Sequence, residues 1–432
     1  MTAPDYRLID CDNHYYEMDD CFTRHIEPRW REHTVWVDRS RADGIGVMMV
    51  GQKRMQFFSA AVGDHVGAPG AMVEFLRGST EEGGAVNLNP LRGEDHPQFS
   101  QRGPRLAEMD RQGVEAAVQI PSLGVGVEWQ MRADPDLRAA LYPSLRSFNR
   151  WLAEDWGWGA DGRMFSTAMM SLADLPQALA ELERLIAEGV RLVLLTTGPV
   201  DGRSPADPHF DPFWARAQEA GLIIVFHIGA TPFNALHAAP WGEPANPPSH
   251  RFTAFNTFVG MGERTIVDHL AALLFHNLPA RFPGLRFLIV EFGASWLPHL
   301  LSTLDKIYRL GDHRTRWPFG KPPEKPSDIF RRQFWIVPFF EDDIAAVARA
   351  AGVSQVVHGS DYPHPEGLSE SANMLHELGA FSAAEQRLIM RGNAAALLGL
   401  QERASPPVLQ EAMAQRGQSA QTAVATNSNT QE

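Results

Sequence analysis

Cysteine is almost missing from this chain: Cys11 and Cys21 are the only two in 432 residues. No disulfide framework and no thiolate zinc cluster can be built from them. Any metal must therefore be held by imidazole and carboxylate. Long apolar runs are missing too, with none near the roughly 20 residues a bilayer span needs. The opening "MTAPDYRLID" has no basic segment leading into an apolar one, so a secretory signal is not expected and a soluble, cytoplasmic chain is. Positive charge is in short supply: 39 Lys and Arg stand against 52 Asp and Glu, a net charge of −13. That balance argues against nucleic acid or an anionic membrane as a partner. No Gly-x-Gly-x-x-Gly follows the first apolar run, so dinucleotide binding has no support. No repeat of solenoid length recurs.

What the chain does have is apolar residues, 44% of the total, ample for a large core. They fall into eight short runs of strand length: residues 7–12, 116–122, 166–172, 191–197, 222–229, 285–293, 333–340 and 355–364. Between them lie stretches of helical periodicity, such as "ADLPQALAELERLIAEG", stopped by Gly189. Strands alternating with helices imply a parallel sheet, and eight of them imply an α/β (β/α)8 TIM barrel rather than an open doubly wound sheet. The runs are apolar almost throughout, as strands buried on both faces are.

About a hundred residues separate the first two runs, too many for an ordinary loop. "TVWVDRSRADGIGVMMVGQKRMQFF" reads as extended or hairpin structure, and the Gly- and Pro-rich stretch to Pro104 follows it. We expect the insert, about 30–104, to act as a lid over one mouth of a barrel that occupies 1–403. Residues 404–432, rich in Gln, Ser, Ala and Thr, are expected to be a disordered tail.

Functional side chains of such barrels gather at the C-terminal ends of strands. The first run, inside "LIDCDNHYYE", ends in Asp12 and His14. The fifth ends in His227, the sixth in Glu291 and the eighth in Asp361. Asp12 and His14, two apart on a strand, point to one side. Asp10 has the same parity but lies deeper, so it is expected to be structural. Asp12, His14, His227 and Asp361 form a plausible ligand set for one divalent ion, Zn, Mn or Fe, with a second ion as a further option. Such an ion activates water and polarises a substrate oxygen. Glu17 is either a support for His14, a ligand or a loop carboxylate. His276 is either a packed helical residue or a ligand, and His364 either a substrate contact or a turn residue. Trp129, Trp151, Trp241, Trp296 and Phe233 are candidate pocket aromatics, with core packing as the alternative for each.

These segments together resemble the amidohydrolase-related family, in the branch of aminocarboxymuconate-semialdehyde decarboxylase-like enzymes. The resemblance is carried by "LIDCDNHYYE", "RLAEMDRQGVEAAVQIPS", "FNRWLAED", "DPFWARAQEAGLIIVFHIG", "ARFPGLRFLIVEFGASWLPHLL", "VVHGSDYPHPEG" and "IMRGNAAALLGL", and it extends to about Leu400. It implies a distorted (β/α)8 barrel with one divalent metal at its C-terminal face, and a homodimer in many members. Two departures stand out. Many members open with His-x-His where this chain has Asp12-x-His14, and many decarboxylating members carry a histidine where this chain has Glu291. The second departure favours a metal-dependent hydrolase of an amide, ester, thioester or lactone, with Glu291 and Asp361 moving protons. The alternative is a non-oxidative decarboxylase of an aromatic or unsaturated acid; a third reading is a silent binding barrel. The expected substrate is a bulky, partly apolar acid or acyl derivative.

Overall fold

The computed structural model describes residues 4–58, 60–61, 63–78, 87–311 and 316–401. Its strands, in chain order, are β1 (Leu8–Tyr15), β2 (Val35–Asp38), β3 (Val47–Val50), β4 (Lys53–Arg54), β5 (Val114–Pro121), β6 (Met164–Met169), β7 (Leu192–Leu194), β8 (Ile223–His227), β9 (Arg286–Val290) and β10 (Phe334–Ile336). Seven of the eight apolar runs are thus strands. They form one curled parallel sheet in the order β1-β5-β6-β7-β8-β9-β10, the succession expected when each strand is joined to the next by a helical crossover. β2, β3 and β4 form a small antiparallel sheet within the insert.

The eighth run is not a strand, yet it fills the eighth place. Val357 N donates to Ile336 O on one edge of the sheet. On the other, Cys11 N donates to His358 O, Asp361 N to Asp12 O and His14 N to Tyr362 O. Regular extension fails there for two reasons. A Cβ on Gly359 would lie 2.4 Å from Asp12 Cβ and 2.5 Å from Val337 Cγ1, so the backbone is wedged between both edges. Two residues on, Asp361 turns to φ 58°, outside the extended region. The barrel is the expected α/β one, and its distortion sits at this seam.

Side chains alternate between two apolar clusters. On β8, Ile223 and Val225 join the inner cluster, while Ile224 and Phe226 join the outer one beneath the helices. The outer layer follows ordinary helix chemistry. Asp174 caps Leu175–Ala187 by accepting from Gln177 N, and Gly189 at φ 84° ends that turn. Strand β1 departs from simple alternation. Its pairing with β5 slips between Asp10 and Asn13, the signature of a bulge. Asp10 pairs with Ala117 of the outer cluster, and His14 pairs with Ile120 of the inner one. Paired residues share a face, so Asp10 and His14 lie on opposite faces, a correction to the equal parity expected from spacing.

The insert holds the extended structure expected over residues 34–58. Residues 79–86 of it, and the expected tail at 404–432, lie outside the described residues. Among the described residues no helix is long and apolar enough to cross a membrane.

Candidate metal centre

Five ionisable groups converge where the C-terminal ends of β1, β8 and β9 meet the seam. His14 Nε2 lies 3.2 Å from Asp12 Oδ1, 3.3 Å from Glu291 Oε2 and 3.4 Å from Asp361 Oδ1. It is also 3.2 Å from His227 Nε2. His227 Nε2 is 2.7 Å from Glu291 Oε2 and 3.8 Å from Asp12 Oδ1. One atom each of Asp12, His14, His227 and Glu291 lies within 4.8 Å of the others, and so does one each of His14, Glu291, Asp361 and His364. The bulge in β1 is what turns His14 inward to meet this set.

The donors suit a divalent cation. Three carboxylates, two of them buried and Glu291 partly so, and two imidazoles at such spacing repel or share protons unless a cation lies among them. His227 Nδ1 lies 2.7 Å from Ile228 O. A carbonyl only accepts, so Nδ1 carries the proton and the Nε2 lone pair faces the cluster, as a metal-binding histidine requires. Glu291 Oε2 is buried without an aligned hydrogen-bond donor. Oxygen and imidazole together fit Zn, Mn or Fe.

Without a cation the charges sort by neighbour. Burial pushes Asp12 up, but its bonds with His14 and His227 outweigh that and hold it low. Glu291 goes the same way and further, because the charge of His227 and the closeness of both imidazoles overcome burial. His227 is driven up against its own burial by Glu291 and Asp12. Asp361 is raised well above the usual carboxylate range, first by burial and then by the charges of Glu291 and Asp12. A proton on Asp361 agrees with the bonds behind it. Ser122 Oγ donates to Tyr15 O at 3.0 Å, so at 2.9 Å it accepts from His364 Nε2. His364 Nδ1 meets Asp361 Oδ1 at 2.7 Å. Ser122 gave no sign of this role in the sequence, where it is one serine after an apolar run.

Not every expected residue joins. Glu17 accepts from Leu123 N at 2.9 Å and Gly124 N at 3.2 Å. It fastens the loop that carries Ser122, and burial raises it to about 7 against those bonds. His276 is not at the site. It ends the helix Arg264–Phe275, ahead of β9 and therefore at the opposite end of the strands, with its ring on Phe319. Asp10 accepts from Ser360 N at 2.9 Å, Ser360 Oγ at 2.5 Å and Asn13 Nδ2 at 3.1 Å, a strap from β1 to the seam.

A cavity of about 430 Å3 opens onto His14, His227, Glu291 and His364. Its apolar wall includes Phe57, Phe58 and Val66 of the insert, with Tyr16, Val125 and Met261. None of the five aromatics singled out from sequence lines it: Trp151, for one, is fully buried, and Trp241 is 80% exposed. No lysine or arginine lines it either, among the described residues.

The sequence model of the amidohydrolase family matches residues 9–400. The solved structure of amidohydrolase map2389c from Mycobacterium avium subsp. paratuberculosis K-10 is 33% identical, with a TM-score of 0.82, covering 92% of this chain and 99% of that one. Decarboxylase orsB of Emericella nidulans is 25% identical over 274 residues, 58% of this chain and 78% of that protein. A dihydroxybenzoic acid decarboxylase from Polaromonas sp. JS666, solved with manganese and the inhibitor 2-nitroresorcinol, shares the fold at 15% identity. Its TM-score is 0.58, over 91% of this chain and 97% of that one.

Proposed function

The chain belongs to the amidohydrolase family, and from that premise we propose that it is a metal-dependent, non-oxidative decarboxylase of an aromatic or unsaturated carboxylic acid. One observation carries the reading. The 430 Å3 cavity has a wall of aromatic and aliphatic side chains interrupted by His65, Ser249 and Glu366, and it ends on the His–carboxylate cluster with, among the described residues, no lysine or arginine to take up an acid group. A flat apolar acid fits such a space, and its anionic end must be met at the cluster. The decarboxylase relative and the manganese-bound fold neighbour support the same direction. Hydrolysis, favoured by Glu291 on sequence grounds and in keeping with the name of the 33% identical amidohydrolase, is the second reading.

In the proposed enzyme Asp12, His14, His227 and Asp361 hold one divalent ion, with manganese the first choice. Bound there, the ion supplies Lewis acidity toward a substrate oxygen. Phe57, Phe58 and Val66 hold the ring and exclude water, which makes the insert the cap of the site. The bond from ring to carboxylate breaks, its electron pair stays on the ring carbon, and carbon dioxide leaves. A proton then replaces it. His364, which lines the cavity, and Glu291 at the same wall are the groups placed to move that proton.

The test is a screen of manganese-loaded protein against hydroxybenzoates and unsaturated acids, scored for carbon dioxide, beside aryl esters and lactones, scored for hydrolysis. Carbon dioxide release that is lost in Asp12→Asn together with bound manganese is the expected result. Ester or lactone cleavage with no carbon dioxide from any acid would overturn the reading.

A further inference from the structure

A second cavity, of about 150 Å3, lies on the far side of the cluster. His14, His227 and His364 line the large cavity, whereas Asp12 and Asp361 line the small one; Glu291 and Glu366 line both. The cluster therefore forms part of a partition between two chambers. Leu76, Val337, Phe339, Phe340, Leu368 and Met374 make the small chamber apolar. Among the described residues, no lysine, arginine or histidine lines it.

That lining selects its occupant. A carboxylate or phosphate entering beyond the ion would leave water for a wall that is mostly hydrocarbon, with Glu341 and Glu366 as its further charges and no hydrogen-bond donor side chain of positive charge to receive it. A cationic group would meet those carboxylates, but it would also face the divalent ion that the proposed function places on Asp12 and Asp361, and the rest of the wall is hydrocarbon. An uncharged hydrocarbon meets neither obstacle. An apolar cavity of about 150 Å3 accepts one benzene-sized group.

The walls are also fixed in place. Asp342 accepts from Phe339 N, Ala294 N and Ser295 N, at 2.8, 2.8 and 3.1 Å, and so joins the loop after β10 to the turn that carries Glu291. On the insert side Met72 N donates to Pro365 O at 2.8 Å, which sets Leu76 over the chamber. Arg77 lies 5.3 Å from the centre of the Phe340 ring and pairs with Glu377.

We propose that the small chamber is a subsite for an apolar substituent of the substrate, so that the acid carries an alkyl or aryl branch of about six carbons that passes Glu291 and Glu366. The inference rests on the large cavity being the acid's site, as proposed above.

The test uses manganese-loaded protein and 2-hydroxybenzoates bearing n-alkyl chains of zero to six carbons at ring positions 4, 5 or 6. Binding is measured by calorimetry, and carbon dioxide release is measured separately. For chains at one ring position, affinity should rise by up to about fourfold per methylene until the chamber is full. Leu76→Trp, at a 36% exposed rim position, should abolish that rise and leave the unsubstituted acid's affinity unchanged. Phe340→Leu should move the limit to longer chains. No gain with chain length at any ring position would overturn the subsite, as would a gain that neither variant alters. A variant-sensitive gain in binding without carbon dioxide from any acid would uphold the subsite and reject decarboxylation.

Discussion

Glu291 and Asp361 hold backbone angles that side chains avoid, φ 60° and 58°. Aspartate takes such a bend more readily than most residues and glutamate does not, so the cost of about 1–3 kcal/mol applies in full to Glu291 and less to Asp361. The cost falls at the two carboxylates that turn off strand ends into the cluster. Glu291→Gly and Glu291→Gln should therefore both lose turnover, while the glycine variant melts at the higher temperature; equal melting would show that the bend costs nothing. Glu17 gives a pH signature. Its carboxyl sits at about 7 in the fold and near 4.5 when unfolded, so the folded state holds the proton more tightly. The stability this group contributes is fully present below about pH 4.5 and is lost as pH rises through about 7, a swing on the order of 3 kcal/mol. Glu17→Gln removes that titration. Urea midpoints at pH 5 and pH 8 should show the variant gaining on the wild type as pH rises, and a pH-independent difference would refute the assignment.

Among the elements, the seam decides more than its length suggests. Asp10 ties β1 to Ser360 and Asn13 from within the fold, so Asp10→Ala leaves several buried donors without an acceptor. A loss of about 3 kcal/mol or more in urea unfolding is expected; a loss under 1 kcal/mol would mean that other bonds hold the ring shut. The seam and β1 are also where sequence reasoning reached its limit. Seven apolar runs became strands because buried parallel strands need only be apolar and short. The eighth run contains the same kinds of residue, but wedging at Gly359 and the bend at Asp361 depend on neighbours far along the chain. The same holds for β1. A period of two identified Asp12 and His14, yet the slip against β5 that separates Asp10 from them is a property of the pair of strands.

At the scale of the whole molecule, strand-end positions located most of the cluster, since a barrel brings all its C-terminal strand ends to one face. The cavity walls were not legible. Phe57 and Phe58 sit in the insert, and nothing local says which way that insert folds. The charge arrangement predicts a general effect of metal. Manganese at about a hundred times its Kd should stabilise the fold by about 2.7 kcal/mol, seen as a melting temperature lowered by chelator and restored by the ion. Asp12→Asn should respond far less, and an equal response would place the ion elsewhere. The seam has one more consequence, in the order of synthesis. The proposed ligands come from residues 12 and 14 at one extreme and 361 near the other, and β1 finds its second neighbour only through residues 358–362. A nascent chain stalled before that point presents β1 as an open edge and lacks a ligand. The ribosome must therefore release almost the entire described chain before the proposed metal centre can be complete, and shielding of the first strand until then is a task left to chaperones or to speed.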